Sequence, residues 1–397
     1  GQFNSFVANW NTGSSTKVKN LIKADVPSDL MTASLRYKYE TISDPSSPVK
    51  IYMWHDMNAY GQYVDTVYFG TEVSGATIYT NPDASSMFLR NHLPYGAGLD
   101  IDKIYDSANS STPYFFNTSK TTNMEQMFAF TQLSSLGIPF DCTNGNGVSP
   151  FSLMDTSNVT SLKNMFRYTR NVDLTGIETW DVHKVTSIAG LFSAAGVNSS
   201  GVIKIPWDIG NWEFDNLQNV SSFFGCIYEK SNSVSNIEYE LNMTNWDLSH
   251  ADTKLMFFDG EDSSFGPVGV NKFISRIKLG NKLIDKNGKV NLPWAMAFGD
   301  YENREDYSHP GMKKVRINSA YYNYYPLSKN YNGAWEREDT GQQYWSDFYK
   351  NFYELAVGSS QSVPSNGTQD LSDAYLANPT AMSGTYKWGE GYSVAYC

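Results

Sequence analysis

The chain has 397 residues, a formal net charge of −11, 41% hydrophobic and 15% aromatic residues, and only 18% charged residues. That length exceeds the usual single core, so about two or three domains, or one elongated domain, are expected. A sparsely charged, acidic chain lacks the basic face that would bind nucleic acid or an anionic membrane, and no apolar run reaches the roughly eighteen residues of a membrane span. A chain starting at Gly1 without an apolar leader is expected to be a processed or trimmed form. The three cysteines, Cys142, Cys226 and Cys397, are too scattered for a metal knuckle, and one must stay unpaired within the chain.

Residues 1–75 mix polar turns with strand-like runs such as "KIYMWHD" and "DTVYF", and read as an N-terminal cap. Within it, "FNSFVANW" (3–10) places Phe6, Ala8 and Trp10 on one face of an extended segment. That period-two pattern suits a strand that adds to a sheet edge, so self-association through the N-terminal strand is one expectation.

From 76 to 295 a repeat dominates. In "MDTSNVTSLKNMF" (154–166), apolar residues follow the anchor Met154 at offsets five, eight, eleven and twelve: Val159, Leu162, Met165 and Phe166. The same frame fits Trp180 (Val185, Ile188, Leu191, Phe192), Trp212 (Leu217, Val220, Phe223, Phe224) and, more loosely, Phe116 (Thr121, Met124, Met127, Phe128). Trp246 keeps Phe257 and Phe258 but is degraded in the middle by Ala251 and Lys254. Anchor separations of 38, 26, 32 and 34 residues lie within the range of repeat architectures.

Each repeat predicts a turn, a short helix and a strand. Oxygen-bearing residues after the anchor (Asn117, Asp155, Asp181, Glu213, Asp247) can satisfy turn amides. Thr122, Thr160 and Thr186 stand where a helix N-cap is needed, and "TNME" at 122–125 reads as a capping box. Offsets eight, eleven and twelve give one buried helix face, and "NVDL", "VIKI", "EYEL" and "RIKL" supply the strands. The expected fold class is therefore α/β: a leucine-rich-repeat-like solenoid of short parallel strands and short helices. Its core would be Met154, Val159, Met165, Phe166, Trp180, Val185, Phe192, Trp212, Phe224 and Trp246.

The motif W-D-x-S-x-V-T-x-M-x-x-M-F, nearest in "MDTSNVTSLKNMF" and "WDVHKVTSIAGLF", resembles the BspA-like leucine-rich repeat surface proteins of Gram-positive bacteria. "TIYTNPDASSMF" (77–88) resembles that family's first repeat, "VPSDL" and "IYMWHD" its lead-in segment, and "LSDAYLANPTAMSGTYKWG" (371–389) its closing module. The resemblance implies an extracellular, cell-surface protein that binds other macromolecules and has no shared catalytic residues.

Residues 296–397 read as an aromatic, β-rich capping module. Tyr321, Tyr322, Tyr324, Tyr325, Tyr331 and Trp335 open a run of aromatics that continues through Tyr353. These side chains either cover the open end of the repeats or form a binding face for protein or sugar. "SDFYKNFYEL" (346–355) has helical spacing.

Chemistry finds little support. The five histidines (His55, His92, His183, His250, His309) show no ligand spacing. "DGED" (259–262) lacks the ligand count of a calcium loop, and "DKNG" (285–288) reads as a hairpin turn with Gly288 at positive φ. Seven N-x-S/T sequons follow from an Asn-, Ser- and Thr-rich composition. The sequence therefore predicts a non-catalytic chain with no cofactor and no metal. Its function would be adhesion or protein–protein recognition toward a host or bacterial surface protein or glycan. The alternative is a structural subunit of an extracellular filament or surface layer.

Overall fold

A computed structural model describes residues 20–56, 66–88, 103–130, 149–167, 169, 173–193, 195, 205–223, 239–253, 274–290, 304–305, 313–317, 320–324, 335–344 and 371–388. The chain divides into two compact units, one of residues 1–184 with 195–206, the other of residues 185–194 with 207–397.

The first unit is organised by a mixed six-stranded sheet. Its strands are β1 (Asn20–Lys23), β2 (Tyr37–Thr41), β3 (Ile51–Asp56), β4 (Thr66–Thr71), β5 (Lys103–Asp106) and β6 (Asn109–Pro113), in the order β2-β3-β4-β1-β5-β6. β1 runs parallel to both β4 and β5, and the remaining pairs are antiparallel. Side chains alternate across the pleat. Trp54 and Tyr52 face a cluster with Leu30 and Tyr37, and Met53 and Phe69 are fully buried.

Phe69 starts a column of rings. It packs on Phe116 at 5.1 Å, and Phe116 meets Phe88 at 6.3 Å. Phe88 stacks on Phe128 at 5.1 Å, Phe128 on Phe166 at 5.8 Å, and Phe166 on Trp180 at 6.3 Å. Each repeat thus contributes a ring that no single repeat could bury alone.

Among the described residues, the second unit holds two sheets. β7 (Tyr239–Met243), β8 (Ile274–Leu279), β12 (Trp335–Arg337), β13 (Gln343–Tyr344) and β14 (Gly384–Trp388) form one in the order β13-β12-β14-β8-β7. β9 (Arg304–Glu305), β10 (Lys313–Ile317) and β11 (Ala320–Tyr324) form an antiparallel second. Two short helices follow, α1 (Leu371–Ala377) and α2 (Pro379–Met382). Proline at the first position and Asn378 Oδ1, accepting from Ala381 N at 3.0 Å, start α2. From α1, buried Tyr375 donates its hydroxyl to Gly280 O (2.7 Å) and accepts from Leu283 N (3.2 Å). Burial pushes that phenol up to about 12.

The expected α/β class, a leucine-rich-repeat-like solenoid of parallel strands and short helices, is overturned. Among the described residues, sheets of six, five and three strands prevail and α-helix is confined to 371–382. The repeats instead stack as turns joined by isolated parallel bridges. These are Tyr79↔Asn117, Asp83↔Asn123 and Asn123↔Ser161 in the first unit, and Ser187↔Asn219 and Asn219↔Asp252 in the second.

The cause is one backbone position. At offset ten of four repeats the chain is left-handed: Gln126 (φ 56°), Asn164 (56°), Gly190 (62°) and Ser222 (55°). Such a residue ends a right-handed helix. Every second amide then turns to the neighbouring repeat. Met124, Gln126 and Phe128 N–H donate to the carbonyls of Ser161, Lys163 and Met165 at 3.0, 2.9 and 3.0 Å.

The expected helix caps fail for the same reason. The hydroxyl of Thr122 donates to Pro82 O (3.1 Å) and that of Thr160 to Thr122 O (3.0 Å). Glu125 accepts from Ser161 Oγ (2.8 Å) rather than closing a capping box.

Candidate functional site

Nine of the ten residues expected in the repeat core are among the described residues, and all nine are buried. Val159, Met165, Phe166, Val185, Phe192, Trp212 and Trp246 are within 1% of fully buried, and Met154 and Trp180 are within 5%. Phe224 falls outside the described residues. The turn after four of the five anchors is fastened by the oxygen expected there, Glu213 after Trp212 being the exception. Asn117, Asp155, Asp181 and Asp247 accept from the amides of Ser119, Ser157, His183 and Ser249 at 3.0–3.1 Å. Ser157 Oγ also donates to Asp155 and holds its carboxyl below the usual range.

Exposed polar residues also bridge repeats. Asn158 Nδ2 donates to Ser119 O (2.9 Å) and Lys184 Nζ to Asn158 Oδ1 (2.8 Å). The outer edge is thereby a fixed row of hydroxyls, amides and carboxylates.

The aromatic residues expected at the binding face divide. Trp335 is fully buried in β12, paired with Tyr344 and Trp388 in register, so its ring serves the core of its sheet. Tyr321, Tyr322 and Tyr324 lie on β11 opposite Arg316, Val315 and Lys313. Tyr325, Tyr331 and the helix expected at 346–355 lie outside the described residues, as do the strand expected at 3–10, all three cysteines, His92, His309 and "DGED".

Among the other polar groups, Asp285 is fully engaged. Its Oδ1 accepts from Asn287 N (2.8 Å) and Lys289 N (2.9 Å), and its Oδ2 from Thr253 N (3.2 Å) and Oγ1 (3.0 Å). With Gly288 at φ 70°, "DKNG" is a tight turn, but among the described residues no strand flanks it, so it is not the expected hairpin. Burial pushes the Asp285 carboxyl up, but the amides of Lys289, Thr253 and Asn287 outweigh it, and the net shift is downward. His55 on β3 is lowered by burial, with Nδ1 3.1 Å from Asp56 O. His183 and His250 are exposed.

A concave feature that the sequence did not reveal lies in the first unit. A groove of about 730 Å³ runs between the β2–β3 loop (42–49) and the first repeat turn (77–87), with Phe116 and Lys120 completing its lining. Its floor is apolar, with Ile78, Ala84 and Phe116 buried. Its rim is polar, and Tyr79 projects there, 44% exposed, with Lys120 Nζ 4.4 Å from its ring centre.

The two acids of the rim are set by their own turns. Ser46 donates both its hydroxyl (2.5 Å) and its amide (2.8 Å) to Asp44 Oδ1, and those bonds hold that carboxyl low. Asp83 Oδ1 accepts from Ser85 N (3.0 Å) and is likewise lowered. Both are charged at neutral pH. Ser43, in the wall, is 7% exposed, and among the described residues its Oγ has no hydrogen-bond partner. The signals in the sequence were the turn-rich strings "SDPSSP" and "NPD", which announce loops without saying that two loops face each other.

Residues 134–265 are similar to a family described as a Mycoplasma protein of unknown function, DUF285. The match spans about a third of the chain and takes in the repeats anchored at Met154, Trp180, Trp212 and Trp246. No curated protein and no solved structure matches the chain. The groove lies outside the matched segment. Among the described residues no helix is long and apolar enough to cross a membrane.

Proposed function

We propose that this chain is a non-catalytic recognition protein of the bacterial cell surface that adheres to a host or bacterial surface macromolecule. The observation that carries this reading is the use each repeat makes of its polar side chains. Asx turns fasten the repeat to itself, and threonine hydroxyls and amides fasten it to the next. The outcome is a stiff, polar, repeating edge with many shallow contacts, and among the described residues no acid, base and nucleophile converge on it. Such a surface suits extended recognition, because prior fixing of side chains lowers the ordering cost of binding. The motif resemblance to BspA-like surface proteins supports the same direction.

The test is direct. Antibody raised to the full chain is applied to intact cells of the source bacterium, and the purified chain is assayed by interferometry against fibronectin, collagen and mucin. Surface labelling without permeabilisation, together with saturable binding to at least one protein, supports the proposal. Labelling only after permeabilisation, with no binding, sinks it. Growth of large species with concentration in light scattering would favour a filament subunit instead.

A further inference from the structure

The groove beside the first repeat turn has a composition that selects a ligand. We propose that it binds a neutral, polyhydroxylated ligand: a segment of a sugar chain. The inference rests on the recognition reading above and names the chemistry of one of its sites.

Three observations converge. A pyranose has an apolar C–H face and a rim of hydroxyls, so its natural support is an exposed aromatic ring beside hydrogen-bond acceptors. Tyr79 supplies the ring, 44% exposed at the rim. Tyrosine combines an apolar body with a polar tip and loses little rotamer freedom on binding.

The acceptors are preset. Asp44 has committed Oδ1 to Ser46, and among the described residues its Oδ2 accepts no hydrogen bond. An ionised carboxylate can only accept, and it accepts strongly from a hydroxyl. Asp83 faces the same groove, already fixed by Ser85.

The third observation is Ser43. Its Oγ is buried in the groove wall without a protein partner. Leaving a buried hydroxyl unmatched is unfavourable, and a small parting of the wall as a ligand seats would let a ligand hydroxyl match it. An anionic ligand fits worse. Asp44 and Asp83 balance the ammonium groups of Lys120 and of Lys50, whose Nζ donates to Pro45 O and Ser47 O, so the groove holds no surplus of positive charge for an anion.

The experiment uses the full chain on a printed panel of malto-, cello-, chito- and galacto-oligosaccharides, with sulfated heparin oligosaccharides alongside. Calorimetry then follows the best neutral binder. Binding of a neutral oligosaccharide is expected, with Tyr79→Ala and Asp44→Asn each weakening it by about tenfold or more and Tyr79→Phe retaining it. Asparagine keeps the Oδ1 acceptor of the loop turn, so Asp44→Asn leaves the fold intact by circular dichroism. The proposal is overturned if no neutral sugar binds more tightly than about 1 mM. A preference for the sulfated probes, or affinity that Tyr79→Ala and Asp44→Asn leave unchanged, overturns it equally. Such a failure leaves the recognition reading standing wherever the chain still binds a matrix protein.

Discussion

Trp246 stacks on Trp212 with ring centroids 6.2 Å apart and planes 9° from parallel. Its indole Nε1 also donates to Ile209 O at 2.9 Å. One side chain therefore does two jobs: it fills the space between adjacent repeats and gives a buried carbonyl a second donor beside Trp212 N. Trp180 does the same in the first unit, with Nε1 2.8 Å from Phe151 O. Trp246→Ala is expected to lower stability by about 3–5 kcal/mol, the usual cost of a large buried aromatic. Trp246→Phe keeps much of the stacking and should cost only about 1 kcal/mol, because Ile209 O keeps its bond from Trp212 N at 3.1 Å. Denaturant midpoints followed by tyrosine and tryptophan fluorescence measure both. Equal, small losses would mean that the stack carries little of the fold.

The left-handed positions give a second prediction. Gly190 sits at φ 62° and Gln126 at φ 56° in equivalent places. A β-branched residue there is strained by about 1–2 kcal/mol. Gly190→Val should therefore destabilise by that amount, whereas Gln126→Gly should leave stability unchanged or raise it slightly. If the two substitutions shift the thermal midpoint in the same direction, the backbone description of the repeat is wrong.

These positions also explain what the sequence could and could not tell. Offsets five, eight, eleven and twelve mark Val159, Leu162, Met165 and Phe166 as inward-facing, and all four are buried. Both a helix and a run of tight turns turn those offsets inward, so periodicity alone does not choose between them. The deciding feature is the backbone at offset ten. Only Gly190, which lacks a side chain, and Asn164 tolerate positive φ readily there, while Gln126 and Ser222 give no warning. The turn oxygens at Asn117, Asp155, Asp181 and Asp247 were legible because an Asx turn is a local interaction. The groove was not, because Ser43 and Tyr79 come to line one groove only through the pairing of β2, β3 and β4.

Acid should act on the second unit through Asp285. Its folded pKa is lowered relative to the unfolded chain, where an aspartate titrates near about 3.9. The stability it contributes is fully present above that unfolded value and drains away as the pH falls through the lower, folded value. Wild type should accordingly exceed Asp285→Asn in stability at pH 7, with the gap closing below about pH 4. Urea midpoints of the two proteins between pH 7 and 3 provide the comparison. A gap that stays constant across the range would show that the Thr253, Asn287 and Lys289 bonds do not depend on the charge.

Ser43 tests whether the groove is a functional compromise. Its Oγ is enclosed without a protein partner, and the residue is 7% exposed. Removing an unmatched buried hydroxyl relieves a desolvation cost, so Ser43→Ala should stabilise the ligand-free protein, by about 1 kcal/mol. The same substitution should weaken sugar binding, since the wall would lose a group that only a ligand can satisfy. Sites built for binding commonly trade stability in this way. Thr156 serves as the control, because its buried Oγ1 also has no partner among the described residues but does not line the groove. Thr156→Val should stabilise without changing affinity for the oligosaccharide. Calorimetric scans and titrations of both variants separate the two effects. A Ser43→Ala protein that is less stable than wild type, or that binds sugar as well, would mean that this hydroxyl belongs to the fold and not to the ligand.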